Sequence, residues 1–460
     1  MGNSNRKVEL SISIVGIVSL VVLFIFGFGN GTAMTMPGWI SGMISTVLFA
    51  WICLQFVPEW VSSWTPHTPT KSLKKIEVKE DEPLHIEVKI FATLIMFTVA
   101  IVLGVYWMRR LLGSNEGFLD SLSFWTCTDS YHYLCIARDG YLSEGEWDRL
   151  VQLVFLPGYP LAVRMLNVFV HNYLYSGMLV SAFSFAGAGC VIYRLLRLDY
   201  SHSDAIRAIK FLCILPGSFF FVAPMSESLF LLLSAGCIYC IRTKKRLLGC
   251  LLGGMAAFTR SLGIVLVVPV LYEFIVEFVE SWTELKKEDA IKTVCKRWMM
   301  TLLIPAGFGM YCLINFLVSG NFFKFMEYQQ KNWHQGFGWF FNTAAYQLEE
   351  AIKCASTNPH TMFGLWIPNL IAIFSSLIIM VLATKLLRPS YVAWFIAYFV
   401  IAIGATWLLS APRYLIALIT LPLAVSLLTQ TKVANRLATM ICLFVYPVYL
   451  YAFVMRWQVW

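Results

Sequence analysis

The segment Asp129-Ser130-Tyr131-His132-Tyr133-Leu134-Cys135-Ile136-Ala137-Arg138-Asp139-Gly140-Tyr141 sets one carboxylate ahead of a run of ring side chains. Held at a surface, Asp129 has the chemistry of a general base. Tyr131, His132 and Tyr133 supply a polar aromatic surround suited to a sugar ring, and Arg138 joins them as a binding candidate. A plainer reading is that Asp129 caps a short helix running through Ala137, its carboxylate accepting from free backbone amides. Glu227, in Pro224-Met225-Ser226-Glu227-Ser228-Leu229-Phe230, stands at the outer end of an apolar run. A carboxylate at membrane depth is costly and is a functional candidate by default, although Ser226 could cap the helix with Glu227 in its first turn.

Two arginines repeat the theme. Arg260 interrupts the apolar hairpin from Leu247 to Ile275, and Arg413 sits between two apolar helices in Pro412-Arg413-Tyr414. A guanidinium in such a place needs an anion or water, and its fork suits phosphate. The alternatives are snorkelling or an internal ion pair with Glu227. The stretch Tyr328 to Trp339 mixes amides, indoles and a histidine, so Gln330, Trp333 and His334 fit a carbohydrate site; an interfacial aromatic belt is the other reading. Phe155-Leu156-Pro157-Gly158-Tyr159-Pro160 reads as a rigid turn. The chain has no Gly-rich phosphate loop, and no DxD-type pair in the loop that holds Asp129 to suggest a divalent metal.

The elements that must position these residues are membrane helices. The 460 residues are 58% hydrophobic and only 13% charged, with mean hydropathy +0.70. Soluble domains carry about 25% charged residues, so an ordinary soluble enzyme is excluded, and a disordered chain with it. The apolar runs are continuous rather than alternating, which excludes a β-barrel. Spans are expected near 11–28, 34–57, 89–108, 173–197, 205–223, 227–242, 247–260, 262–280, 299–318, 362–384, 391–409, 414–430 and 437–455, about 13 helices of an all-α polytopic bundle. The first is read as an uncleaved helix, since its apolar run is long and lacks a small-residue cleavage site.

The net charge is +9, but the basic residues lie between apolar runs, which points to the bilayer and not to nucleic acid. Arg6-Lys7; Lys71, Lys74 and Lys75; Arg194 and Arg197; Arg242, Lys244, Lys245 and Arg246; Lys286 to Arg297; Lys385 and Arg388; and Lys432 and Arg436 mark alternate loops as inner. This puts the N-terminus inside and the C-terminus outside, with Arg109-Arg110 as one conflict. A two-helix unit (1–57) and a polar cytoplasmic linker (58–88) precede a large membrane domain (89–460). Two outer loops, 109–172 and 319–361, are long enough to carry function. Within the first, 160–172 reads as an interfacial helix with Arg164, Asn167 and His171 on its polar face. Asn30-Gly31-Thr32 is a glycosylation sequon abutting two spans. Most of the twelve cysteines lie in apolar runs as small hydrophobes, and Cys127, Cys135 and Cys354 leave room for one external disulfide.

In this order the motifs resemble the PIG-V family, that of the second mannosyltransferase of GPI-anchor synthesis and its bacterial relatives. The family's W-D-S-x-x-Y-x-x-I-A-x-x-G-Y is similar to this chain at Asp129, Ser130, Tyr133, Ile136, Ala137, Gly140 and Tyr141, with Thr128 in place of Trp. Its F-F-P-x-[YF]-P resembles Phe155 to Pro160 with Leu156 for the second Phe. Its S-E-[SA]-L-F matches Ser226 to Phe230, its R-S-N-G matches Arg260, Ser261 and Gly263 with Leu262 for Asn, and its P-R-Y matches Pro412 to Tyr414. The resemblance covers about 89–455, and the extra N-terminal helices favour a bacterial relative.

The resemblance implies a GT-C type glycosyltransferase, a multi-pass membrane protein with its active site on the outer or lumenal side. It would lie in the plasma membrane of a bacterium or the endoplasmic reticulum of a eukaryote. Such an enzyme moves mannose from a polyprenyl (dolichyl-type) phosphate mannose to a glycolipid or glycan acceptor, inverting, with no cofactor and no metal. Asp129 is then the catalytic base. Arg260 and Arg413 hold the donor phosphate. Tyr131, His132, Tyr133, Arg138, Glu227, Gln330, Trp333, His334 and Tyr414 contact substrate. The rival readings are a transferase for another lipid-linked sugar, a lipid-sugar flippase, and a scaffold subunit. No residue argues for a protein partner.

Overall fold

The computed structural model of the chain describes residues 2–29, 35–64, 85–141, 149–282 and 287–460. The sequon at Asn30, most of the linker with Lys71, Lys74 and Lys75, and Lys286 lie outside the described residues. The structure is 82% helix. Among the described residues strand pairing is limited to one isolated bridge, Phe337 with Ala405.

The helices are α1 (Gly2–Gly29), α2 (Met36–Ser62), α3 (Ile86–Leu111), α4 (Asp129–Asp139), α5 (Gly158–Val170), α6 (Tyr173–Leu196), α7 (His202–Ile214), α8 (Glu227–Arg242), α9 (Arg246–Thr259) and α10 (Val267–Trp282). There follow α11 (Lys287–Thr301), α12 (Leu303–Ser319), α13 (Lys324–Trp333), α14 (Phe340–Thr357), α15 (Ile367–Ala383), α16 (Pro389–Ile403), α17 (Ala411–Ile416), α18 (Thr420–Leu428) and α19 (Lys432–Val454). Among the described residues eight helices are long and apolar enough to cross a membrane, and α9 and α16 are shorter apolar ones.

The expected helices near 205–223 and 414–430 are each broken. The first run becomes α7 and a 3-10 turn at Ser218–Phe221, separated by Pro216 and by Gly217, whose φ of 95° favours glycine. The second becomes α17 and α18, with Pro412 at the start of α17. The external disulfide is not formed: Cys127, Cys135 and Cys354 are unpaired thiols, and Cys354 Sγ accepts from Trp366 Nε1 at 3.3 Å. Arg109, at the C-terminal end of α3 where a cation meets the helix dipole, pairs with Glu116 at 2.9 Å and lies 4.9 Å over the Phe124 ring.

The long helices are hydrophobic all round, as bilayer helices are. α19 buries Tyr446, Tyr449, Leu450 and Phe453 and exposes Leu437, Met440, Ile441, Leu443 and Phe444. The core inside the bundle is aromatic: Phe185 stacks on Phe221 at 4.7 Å, and Trp394, Phe395, Tyr398 and Phe399 of α16 are fully buried. α2 packs against α14, where Ser41 Oγ donates to the Ala344 carbonyl at 2.6 Å and Phe49 meets Phe340 at 4.6 Å.

Where α9 crosses α12 the contact is backbone on backbone. A Cβ added at Gly307 would strike the Gly254 carbonyl, whereas one added at Gly309 meets nothing within 4 Å. Small residues allow this close approach between membrane helices. Gly307→Leu is therefore expected to cost at least about 2 kcal/mol through overpacking, and Gly309→Leu to cost nothing measurable. Thermal unfolding in detergent checks the pair, and equal melting temperatures would refute the crossing.

Candidate active site

α4 begins at Asp129 after an abrupt chain reversal: Thr128 has φ 50° and ψ −130°, a costly conformation for a β-branched residue. The far end of α4 is held from α5. Arg164 Nε donates to the Ala137 carbonyl at 2.6 Å and its Nη2 to the Arg138 carbonyl at 3.2 Å, satisfying carbonyls that the last turn leaves open. α5 has 13 residues, too few to span a bilayer. It exposes Leu161, Met165 and Phe169, and Arg164, itself exposed, reaches across to the end of α4. Its start is pinned at Gly158, where any Cβ would strike Thr259, the residue before Arg260.

Asp129 does not cap its helix. Its Oδ2 accepts from Arg413 Nη2 at 2.5 Å, and its other oxygen accepts nothing from the described residues. Arg413 Nε lies 3.0 Å from Glu227 Oε1 without hydrogen-bond alignment. The same Glu227 oxygen takes a hydrogen bond from Arg260 Nη1, which also donates to Ser226 Oγ at 3.2 Å. Ser226 Oγ in turn is 3.0 Å from the Tyr133 hydroxyl. The ring of Tyr414 sits between the two arginines, each guanidinium carbon 5.5 Å from its centroid. A single chain of charges thus runs Asp129, Arg413, Glu227, Arg260.

Glu227 is 1% exposed and Arg413 and Arg260 only 6% and 8%. Of the four, Asp129 is the most open, its side chain 21% exposed. Ser226 stands before α8 but its side chain does not cap; it is spent on Arg260 and Tyr133. α17 is aimed by α15: Asn369 Oδ1 accepts the Ala411 amide at 2.8 Å. α16 holds the residue after Arg413, the Tyr398 hydroxyl donating to the Tyr414 carbonyl at 2.8 Å.

Asp129, Tyr133, Arg260, Gln330, Trp333, Arg413 and Tyr414 line one cavity of about 650 Å³. Other expected residues lie elsewhere. Glu227 sits behind the arginines, because two cations share it. Tyr131 is 45% exposed and turned away. Arg138 forks onto Asp139 at 2.9 Å. His132 stacks on Phe155 at 4.6 Å, and Phe155 itself lines the cavity and meets Trp333 edge-on at 5.9 Å. His334 terminates α13 in a left-handed turn with φ 52°, its carbonyl accepting from Thr406 Oγ1 at 3.0 Å.

Residues not singled out as site candidates from the sequence complete the wall. Gln335 lines the cavity, donating to the Trp407 carbonyl at 2.8 Å, and Trp460 closes one side. Gln335 stood in the amide-rich stretch and was readable there; nothing in the sequence pointed to Trp460. Among the described residues no three His, Cys, Asp or Glu side chains gather to hold a metal ion.

Three of the four charged groups belong to one recognisable segment. Residues 113–322 match the family described as Mannosyltransferase (PIG-V). The matched segment is narrower than the expected 89–455 and holds Asp129, Glu227 and Arg260; Arg413 lies outside it in sequence and against it in space. GPI alpha-1,6-mannosyltransferase 2 of Mus musculus is 30% identical over 169 residues, 33% of this chain and 31% of the relative. The Homo sapiens protein of the same name is 28% identical over 169 residues. The chain therefore spans 31% of the length of these curated relatives. Among solved structures, an oligosaccharyltransferase from Archaeoglobus fulgidus, crystallised with zinc and sulfate, superposes with TM-score 0.34 at 11% identity, over 81% of this chain and 53% of that one.

Two outcomes follow. Glu227→Gln leaves two buried guanidinium groups sharing one remaining acid, and breaking a buried pair costs about 3–5 kcal/mol. Its melting temperature should fall well below that of Asp129→Asn, whose lost group is partly exposed; the reverse order would sink the charge chain. His132 is held below the ordinary histidine pKa by burial, with the Asp129 charge opposing. The unfolded chain then binds that proton more readily than the folded one, so stability falls as pH drops below about 6.5. His132→Gln should flatten the decline in melting temperature from pH 7 to 5.5; an unchanged slope would exclude this origin.

Proposed function

We propose that the chain is a GT-C type membrane mannosyltransferase that takes mannose from a polyprenyl-phosphate donor and passes it, with inversion, to a glycolipid or glycan hydroxyl on the outer or lumenal face. The observation that carries the reading is the pairing of Asp129 with Arg413 across 284 residues. It brings the acid of the PIG-V segment to a guanidinium at the mouth of a cavity that also holds Arg260. The PIG-V match and the curated relatives supply the mannosyl class of the reaction.

In this reading the acceptor hydroxyl approaches the oxygen of Asp129 that Arg413 leaves open, and gives up its proton there as the new glycosidic bond forms. The bond from the anomeric carbon to the phosphate oxygen breaks on the opposite face of the sugar, as inversion requires. The leaving phosphate gains a charge and needs cations, not an acid. Arg260 uses one nitrogen on Glu227 and Ser226, and its other nitrogens donate to no described residue. Arg413 is engaged by Asp129 in the resting arrangement, and protonation of Asp129 weakens that hold as the phosphate charge develops. The sugar lies against Tyr133, Gln330 and Trp333, flat rings and an amide of the kind that hold hydroxylated rings. No step calls for a metal ion or cofactor.

The test is transfer from radiolabelled polyprenyl-phosphate mannose by purified protein, with and without EDTA. Asp129→Asn is expected to lower transfer by at least about 10² while migrating as a folded monodisperse protein. Wild-type activity is expected to be unchanged by EDTA. Full activity of Asp129→Asn would remove the base. Donor binding without transfer to any glycan or lipid would favour a lipid-sugar flippase.

A further inference from the structure

At the end of α9 remote from Arg260 lies a second polar cavity, of about 640 Å³, lined by Lys244, Lys245, Arg246, Leu247, Leu248, Lys296, Arg297 and Met300. α9 has 14 residues, so its two ends are separated by about 21 Å at 1.5 Å per residue, and this cavity has no part in the site around Asp129. Five cations border it. Among the described residues one acid answers them: Glu277 pairs with Arg246, whose Nε lies 3.1 Å from Glu277 Oε2, and stands 3.5 Å from Arg297 Nη1.

Lys244, Lys245 and Lys296 are exposed and make no ion pair with a described residue. Arg297 is only 8% exposed, and its buried Nη1 makes no hydrogen bond to a described residue. A buried guanidinium nitrogen left without an acceptor is costly, and five cations about one acid repel one another unless an anion joins them. The first turn of α9 opens at Arg246, so the positive end of the helix dipole adds to the field.

The surroundings are apolar. Leu247 and Leu248 stand 52% and 48% exposed at the rim, and Trp298 and Met299 project from α11 at 55% and 70%. A tryptophan beside exposed aliphatic side chains marks the level where a bilayer meets water. We propose that this cavity is a binding site for a phosphate group, and that the phosphate is the headgroup of an anionic lipid in the leaflet opposite the Asp129 site, its chains lying along Leu247, Leu248 and Met300. Basic pockets between membrane helices have the charge and shape for such headgroups.

Native mass spectrometry of the full chain released from mixed phosphatidate and phosphatidylcholine nanodiscs tests this. Wild type is expected to retain phosphatidate selectively. Lys244→Gln, Lys245→Gln and Lys296→Gln together, which leave the Glu277 pairs intact, should weaken retention at least about tenfold. The corresponding triple arginine variant should keep it. Glu277→Gln should retain phosphatidate more strongly, since it removes the competing carboxylate. Melting temperatures with inorganic phosphate at constant ionic strength separate the sources. Protection by inorganic phosphate without lipid selectivity would support the phosphate site and overturn the lipid. Equal retention by wild type and the glutamine triple variant, or neither selectivity nor protection, would overturn the site itself.

Discussion

The structure turns on one buried carboxylate. Glu227 is 1% exposed and is shared by two guanidinium groups. Desolvating three ions is expensive, and it is tolerable only if the attraction among them is realised in full. That requirement ties together parts of the chain that share no local signal. α8 must present Glu227 in its first turn, the end of α9 must stop at Arg260, and α17 must begin just before Arg413. Failure of any one leaves an unanswered charge in the bundle. Asp129 benefits from this arrangement without being locked in it, since it meets Arg413 at the open end of the chain and keeps one oxygen toward the cavity.

The same demand explains why several apolar runs are not single helices. Backbone breaks within a bilayer are tolerated where they are buried in protein or line a cavity. The chain turns at Pro216-Gly217, leaves helical geometry at Arg260, and restarts at Ala411. Each break delivers a polar group or its support to the space around Asp129. Asn369 closes the last of them by accepting the Ala411 amide. The two long loops, 109–172 and 319–361, supply the rest of the wall, through Phe155 from one and Gln330, Trp333 and Gln335 from the other.

How much of this was legible follows from the range of each interaction. The bundle was readable from apolar run length, and the short helix α5 near 160–172 from its periodicity, because both are properties of consecutive residues. Glu227, Arg260 and Arg413 could be singled out because a charge in an apolar setting is conspicuous, and Asp129 because it leads a run of ring side chains. Their pairing could not be ranked above phosphate binding, since Arg260 and Glu227 are as well suited to an internal partner as to a ligand. The break in 205–223 was signalled by Pro216-Gly217 but passed over for run length, and that in 414–430 was missed because Ala417, Leu418 and Ile419 continue the apolar run, whose content alone does not reveal where the backbone turns. Tyr131 and Arg138, two and nine residues after Asp129, fall on other faces of α4 at about 100° per residue, and His132 is taken up by stacking on Phe155, whereas Tyr133, four residues on, lines the cavity with Asp129.

The charge count of the cluster argues for a particular order of events in the proposed reaction. Two arginines and two carboxylates sum to zero, so the resting site has no surplus cation for a phosphodiester donor. A surplus would bind the ground state as tightly as the transition state and contribute nothing to the barrier. In the proposed reaction the cation is released when it is needed. The proton taken from the acceptor neutralises Asp129, the hold on Arg413 loosens, and a guanidinium becomes available to the phosphate at the moment its second charge develops. Glu227 keeps its place throughout, because it is sealed from the cavity and bound by Arg260. One carboxylate thus serves as the fixed counter-ion and the other as the variable one, and their different burial, 1% against 21% for the side chains, is what assigns the two roles.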